Sequence, residues 1–192
     1  MAIARGTTPG DDAPNAFYLL DVSNRRTLSQ VASLESDDEI KSGLVAIQSQ
    51  IFVVTSGEEG DQLVSLDAAD QLAQKSNVPL GAGYVSGPWS LGASLLVGTD
   101  AGELVCFDDQ LEKKWALELP NDQFAGHPRL LGDKIMLAFR SGKISLVNPL
   151  DGKVSSEVDL GHPLNHVPVD WNQQLIFSGA DGTIHLMDPT KL

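Results

Sequence analysis

ASLLVGTDAGELVCFDDQLEKKW, residues Ala93 to Trp115, is rewritten forty residues later as DKIMLAFRSGKISLVNPLDGKV and again forty beyond that as QQLIFSGADGTIHLMDPTKL. Gly102, Gly142 and Gly182 share one phase of the repeat, and Pro88, Pro128 and Pro168 share another. Asp108, Asn148 and Asp188 mark the ends of the corresponding apolar runs. A fixed period near 40 is the signature of a repeat architecture, in which each unit buries its apolar face against its neighbours.

Working outward, units are expected at about 15–36, 40–79, 83–120, 124–161 and 165–192. Residues 1–14, rich in Gly, Pro, Asp and Thr, read as a flexible N-terminal tail. AFYLLD (16–21) matches the later QLVSLD, ELVCFD, KISLVN and TIHLMD, and RRTLSQVA reads as the strand that follows it. The first unit is therefore the back half of a repeat. The unit at 40–79 departs from the rhythm only in GEEGD (57–61), where three extra residues are expected in a surface loop. The last unit stops where its fourth strand would begin.

Two-residue turns carrying Gly, Asp or Asn between apolar runs are strong hairpin signals, because type I′ geometry needs positive φ. IFVV, SLLV, IMLAF and LIF are apolar without alternation, as befits strands covered on both faces. Prolines open the first strand of three units, where a missing N–H removes no ladder bond. LDAADQLAQK (66–75) comes nearest to a helical stripe, and the repeat assigns it to a turn plus a strand. These features predict an all-β fold, a β-propeller of four-stranded antiparallel blades with about four blades in this chain, as a partial or half ring.

The chain has 192 residues, 42% of them hydrophobic, and a formal net charge of −13. The acidic surface favours solubility, and Arg25-Arg26 and Lys113-Lys114 are too isolated to neutralise a nucleic-acid backbone. Cys106, the single cysteine, excludes an internal disulfide and a cysteine-rich metal site, and its place in LVCF makes it a buried thiol. No apolar run approaches the ~20 residues needed to span a membrane as a helix, and MAIARGTTPGDDAPN has no apolar core of a signal peptide.

DAGELVCFDDQLEKKW, SGKISLVNPLDGKV and DGTIHLMD resemble the quinoprotein-like, pyrroloquinoline-quinone-type propeller repeat over residues 15–192. The tryptophan that closes each unit in that family survives at Trp115 and is replaced by Gln74 and Ser155. The resemblance implies two outcomes. Enzymes of the family hold the quinone and Ca²⁺ in a central channel with a stacked Trp, acidic and amide ligands, an Asp base and often adjacent cysteines. Other members bind partner proteins through their loops without a cofactor. This chain, with one cysteine and no such cluster, resembles the second group, so no cofactor is expected, and a periplasmic or cell-envelope location fits the resemblance.

Among candidate sites, His162 and His166 bracket the loop GHPLNH near Asp170, but Pro163 prevents the helix that would align them on a metal. His127 lies in a second Gly-His-Pro, and His185 occupies a strand position equivalent to Val105 and Ser145. Asp37-Asp38 and Glu58-Glu59 lack the alternating ligands of a Ca²⁺ loop, and no serine sits in a nucleophile elbow. Neither a catalytic nor a metal-binding residue is expected. Gly102, Gly142, Gly182, Asp108, Asn148 and Asp188 read as structural repeat positions, the acids capping turns. Trp89, Phe124 and Trp171, with Tyr84, stand at blade entries as partner-binding aromatics, weighed against packing between blades.

The function expected is that of a non-catalytic scaffold binding a protein partner. The alternatives are a fragment of a quinone-dependent dehydrogenase and a carbohydrate- or peptide-binding propeller. The ring also has to be closed. RRTLSQVA could complete the fifth unit, or a homodimer could complete the ring, each copy capping the other's open edge with two-fold symmetry.

Overall fold

A computed structural model describes residues 2–5, 14–23 and 29–191. All the regular structure described is β, apart from a 3-10 turn at Pro189–Lys191. Two compact units divide the chain, Met1–Lys113 and Lys114–Leu192.

In the first unit, β1 (Ala2–Arg5), β2 (Asn15–Asp21) and β3 (Ser29–Ser36) form a three-stranded sheet in that order. This corrects the expected tail at its start, because β1 pairs antiparallel with β2 from Ala2↔Leu19 to Arg5↔Ala16. AFYLLD offers an open edge of backbone N–H and C=O groups, and the short AIAR run satisfies it. The rest of that tail, bar Pro14, lies outside the described residues. RRTLSQVA is also corrected: its described part belongs to β3 and pairs with β2 from Asn15↔Ser36 to Asp21↔Ser29, so it is not spare to complete another sheet.

The second sheet combines β4 (Glu39–Ile40), β5 (Val45–Ile47), β6 (Gln50–Gly57), β7 (Gly60–Asp67) and β8 (Ala73–Pro79). Both β4 and β5 pair with β6, as one first strand broken in two. The three extra residues of GEEGD make no loop. β6 and β7 pair without a break from Gln50↔Asp67 to Gly57↔Gly60, leaving only Glu58-Glu59 to turn. Extending the ladder satisfies backbone groups that a loop would leave to water. LDAADQLAQK is a turn followed by β8.

The third sheet runs β12-β11-β10-β9 and consists of β9 (Tyr84–Leu91), β10 (Ser94–Thr99), β11 (Glu103–Asp108) and β12 (Lys113–Glu118). Pro88 corrects the expectation that proline opens its strand, because it lies inside β9 where the register to β10 shifts between Leu96 and Gly98. An irregularity of that kind tolerates the missing N–H.

In the second unit, β13 (Arg129–Leu131), β14 (Lys134–Ala138), β15 (Lys143–Val147) and β16 (Val154–Asp159) form a four-stranded sheet. β17 (Val169–Trp171), β18 (Gln174–Ser178) and β19 (Ile184–Met187) form the last, three-stranded sheet. Pro128 and Pro168 precede β13 and β17, each after an isolated bridge, Phe124↔Phe139 and Leu164↔Gly179.

One packing scheme recurs. Phe17, Leu19, Ala32 and Leu34 of the first sheet bury Ile51, Val53, Val64 and Leu66 of the second. Phe52, Val54 and Leu63 on the other face of the second bury Leu95, Val97, Val105 and Phe107 of the third. Met136, Ala138, Ile144 and Leu146 bury Leu175 and Phe177 in the second unit. Alternation along the strand gives each middle strand two buried faces, which is why its sequence does not alternate.

Turns between strands repeat as well. Asp108 Oδ1 accepts the N–H groups of Gln110 at 3.0 Å and Glu112 at 2.8 Å. Asn148 accepts from Leu150 at 3.0 Å and Asp188 from Thr190 at 2.9 Å. Asp67 and Asp21 make the same bond to Ala69 and Ser23, each at 2.8 Å. Gly102, Gly142 and Gly182 stand at φ 76°, 103° and 85°, each donating to the carbonyl three residues earlier.

Within the second unit, Trp115 packs on the turn that follows β15. Its indole N–H donates to the Pro149 carbonyl at 2.8 Å, and a Cβ on Gly152 (φ 70°) would stand 2.7 Å from the indole ring. Ser155, at an equivalent repeat position, donates instead to Leu146 of its own sheet at 3.0 Å. Trp115→Phe removes one hydrogen bond and is expected to lower stability by about 1 kcal/mol. Trp115→Ala empties the contact and is expected to lower it by about 3–5 kcal/mol. Gly152→Ala is expected to destabilise through clash and positive φ together. Urea midpoints measure all three, and an unshifted midpoint for Gly152→Ala would refute the close packing.

Candidate functional site

Polar chemistry collects at two places. At the end of the last hairpin, the Asp181 carboxylate accepts from the Thr183 N–H at 3.0 Å and from the Thr183 hydroxyl at 2.6 Å. These bonds, the hydroxyl first, hold the Asp181 carboxyl below the usual carboxylate range, with a smaller contribution from the charge of His162. The Thr183 oxygen lies 2.8 Å from His185 Nε2. Having given its proton to Asp181, that oxygen can only accept, which fixes an N–H on Nε2. The order is carboxylate, hydroxyl, imidazole. Activating a hydroxyl requires the imidazole to take its proton, so this is not a nucleophile relay.

His185 also stacks on His162 with ring centroids 5.2 Å apart and planes 18° apart. The expected grouping of His162, His166 and Asp170 is not what forms. His162 packs on His185, His166 is exposed, and Asp170 faces Arg129 at 3.4 Å. Among the described residues, no group of three or more His, Cys, Asp or Glu is arranged to hold a metal ion. His127 is exposed and Cys106 is buried.

The second polar place lies in the first unit. Asp61 Oδ2 accepts the Tyr84 N–H at 2.6 Å, and the Tyr84 hydroxyl donates to the Gly87 carbonyl at 2.6 Å. A hydrogen bond from Ser56, then that from Tyr84, then the charge of Lys41 lower the Asp61 pKa, while burial raises that of Tyr84. A shallow groove runs beside it over Glu59, Gly60, Pro79 and Gly81 to Gly83. Its walls are mostly backbone and small side chains, with little to orient a ligand.

The candidate aromatics differ in setting. Trp89 is half-buried on β9, opposite Leu96. Phe124 stacks on the buried Phe139 at 5.3 Å and 22°, so it packs within its own unit. Tyr84 is half-buried and spends its hydroxyl on Gly87. Trp171 alone of the four is largely exposed, at 55%.

Trp171 is not isolated. Cross-strand partners share a face of a sheet. Val169 pairs with Ile176 and Ile176 with Leu186, while Trp171 pairs with Gln174 and Ser178 with Ile184. Val169, Trp171, Ile184 and Leu186 are all exposed on that one face. Among the described residues no strand pairs with the outer edge of β19, whereas β15 is covered by β16. The aliphatic members went unrecognised in the sequence, where IHLM reads as ordinary core. Their exposure follows from the absence, among the described residues, of a further sheet packed on that face.

No protein-family model matches the chain, and no curated protein matches its sequence. Solved structures do. BamB from Moraxella catarrhalis aligns with a TM-score of 0.65 at 18% identity, covering 85% of this chain and 54% of that one. Two computationally designed proteins also align. Ika8 gives a TM-score of 0.60 at 13% identity over 93% of this chain and 56% of its own. Ika4 gives 0.55 at 13% over 76% and 88%. The fold is a β-propeller. Its blades are the antiparallel sheets, two of them four-stranded, one with its first strand split and two three-stranded among the described residues, which together amount to about four blades of a partial propeller. The chain spans about half the length of BamB and of Ika8. Among the described residues no helix is long and apolar enough to cross a membrane.

Asp61 generates a pH prediction. Its pKa is lower in the folded than in the unfolded protein, where an Asp titrates near 3.9. The stabilisation is therefore fully present above that value and is lost as pH falls through the lower, folded value. Asp61→Asn is expected to reduce stability at neutral pH and to flatten its fall in acid. Thermal melts from pH 7 downward read this out, and a parallel acid limb in both proteins would rule it out.

Proposed function

We propose that the chain is a non-catalytic propeller module that binds protein. The observation that carries this reading is the open face of the last blade, where Val169, Trp171, Ile184 and Leu186 are exposed together beside an uncovered strand edge. Exposed apolar side chains grouped on one face mark an interaction site, and tryptophan is enriched among the anchors of such sites. Asp61, Asp181, Asp108 and Asp188 are engaged in holding turns and blade entries.

The likeness to BamB supports a quinoprotein-like repeat within this reading, as does the tryptophan docking at Trp115. A quinone-dependent dehydrogenase needs a cation held largely by acidic ligands, and among the described residues no group of three or more His, Cys, Asp or Glu is arranged to hold one. A sugar-binding propeller would repeat one aromatic in every blade, whereas Trp89 and Trp171 fall at different phases. Association of two copies belongs to the same reading, since both would use the open blade.

A photo-crosslinking residue placed at Trp171 or at Leu186 is expected to give discrete protein adducts in cells. The same residue at Leu150, 85% exposed in the turn between β15 and β16, is expected to give none. Equal labelling at all three positions would overturn the reading. Titration with pyrroloquinoline quinone and Ca²⁺ is expected to leave both the melting temperature and the quinone spectrum unchanged.

A further inference from the structure

The exposed face of the last blade is half of an interface the chain builds elsewhere. Advancing forty residues takes Met136, Ile144 and Leu146 to Ile176, Ile184 and Leu186. Ile144 and Leu146 are 1% and 9% exposed, covered by Leu175 and Phe177 of the following sheet. Ile184 and Leu186 are 74% and 56% exposed. The residue types are kept, and among the described residues only the cover is missing.

The other half of the same interface stands on the first sheet. Its strand-end Asp21 corresponds to Asp67 and Asp108, so Tyr18 corresponds to Val64 and Val105, and Leu20 to Leu66 and Phe107. Val64 and Leu66 pack against the sheet before theirs, and so do Val105 and Phe107. Phe17 and Leu19 are turned toward the second sheet, which puts Tyr18 and Leu20 on the opposite face. Tyr18 and Leu20 are half-buried there, with the exposed Ser33 paired beside Tyr18.

We propose that the occupant of the last blade's open face is the first sheet of a second copy, docked head to tail. Val169, Trp171, Ile184 and Leu186 of one copy cover Tyr18 and Leu20 of the other, repeating the blade-to-blade packing within each chain. This rests on the protein-binding reading above and names the partner. The interface is heterologous, so copies add with one sense and stop when the rotation closes. Two copies make up about the length of one BamB or Ika8 chain, each of which this chain matches over roughly half. It differs from capping one edge by a spare first strand, because β2 and β3 are already paired. With a net charge of −13 on each copy, association strengthens as salt screens the repulsion.

Light scattering on the full chain at about 0.05 M and about 0.5 M salt tests it. A dimer, or a series of oligomers growing with concentration, is expected, and more of it at high salt. Ile184→Glu and Ser33→Glu each place a charge at an exposed position on one of the two faces, and each alone is expected to give a monomer. Mixing the two is expected to restore a dimer through the one junction both leave intact. If Ile184→Glu proves unfolded by circular dichroism, Leu186→Lys serves on the same face. A wild-type monomer at every concentration would overturn the proposal, as would oligomers indifferent to both variants or no recovery on mixing. A monomer whose Leu186 crosslinks a different protein would leave the scaffold reading standing and this partner wrong. A dimer whose only adduct is itself would support this partner and remove any other protein from the reading above.

Discussion

Everything in this molecule depends on sheet-to-sheet stacking of aliphatic and aromatic side chains. A single blade of about forty residues cannot bury enough apolar surface to offset the entropy of ordering it. Phe52, Val53 and Val54 show how the difficulty is met: consecutive residues, all fully buried, alternate between the sheet before and the sheet after. Stability is therefore shared between neighbours, and a blade with one neighbour keeps one face unsettled.

The other recurring devices serve that stacking. The strand-end Asp or Asn holds each turn by accepting backbone N–H groups, which keeps consecutive strands in register so that their buried faces agree. Leu72 and Leu111 occupy the left-handed region, each at φ 66°, yet are buried to 1% and 5% exposure. A bulky residue there is strained, and burial of the leucine side chain offsets the strain. Gly152 takes the same conformation without strain, and its missing side chain admits the Trp115 ring.

Much of this was legible in the sequence. The forty-residue period, the two-residue turns and the non-alternating middle strands located the sheets, and AFYLLD and TIHLMD were placed in their units by likeness to ELVCFD. Three things were not legible, each because pairing is decided in space. AIAR carries too few residues to announce a strand, and only the free edge of β2 draws it in. Pro88 shares its phase with Pro128 and Pro168 but lies within a longer strand. Of the four aromatics singled out, Phe124 and Trp171 look alike on paper. What separates them is whether a partner such as Phe139 stands opposite, and that depends on tertiary packing.

The hairpin at Glu58-Glu59 shows how such a chain can change length. Where the third sheet leaves five residues between the pair Gly98↔Leu104, the second leaves eight between Val54↔Leu63, and six of those form three further pairs. The added segment is thus stored as ordered ladder at the tip and not as slack. A repeat that grows in this way gains rigid surface beyond its core while every buried contact keeps its place. Variation can accumulate at one rim of the molecule at no expense to the stack beneath it.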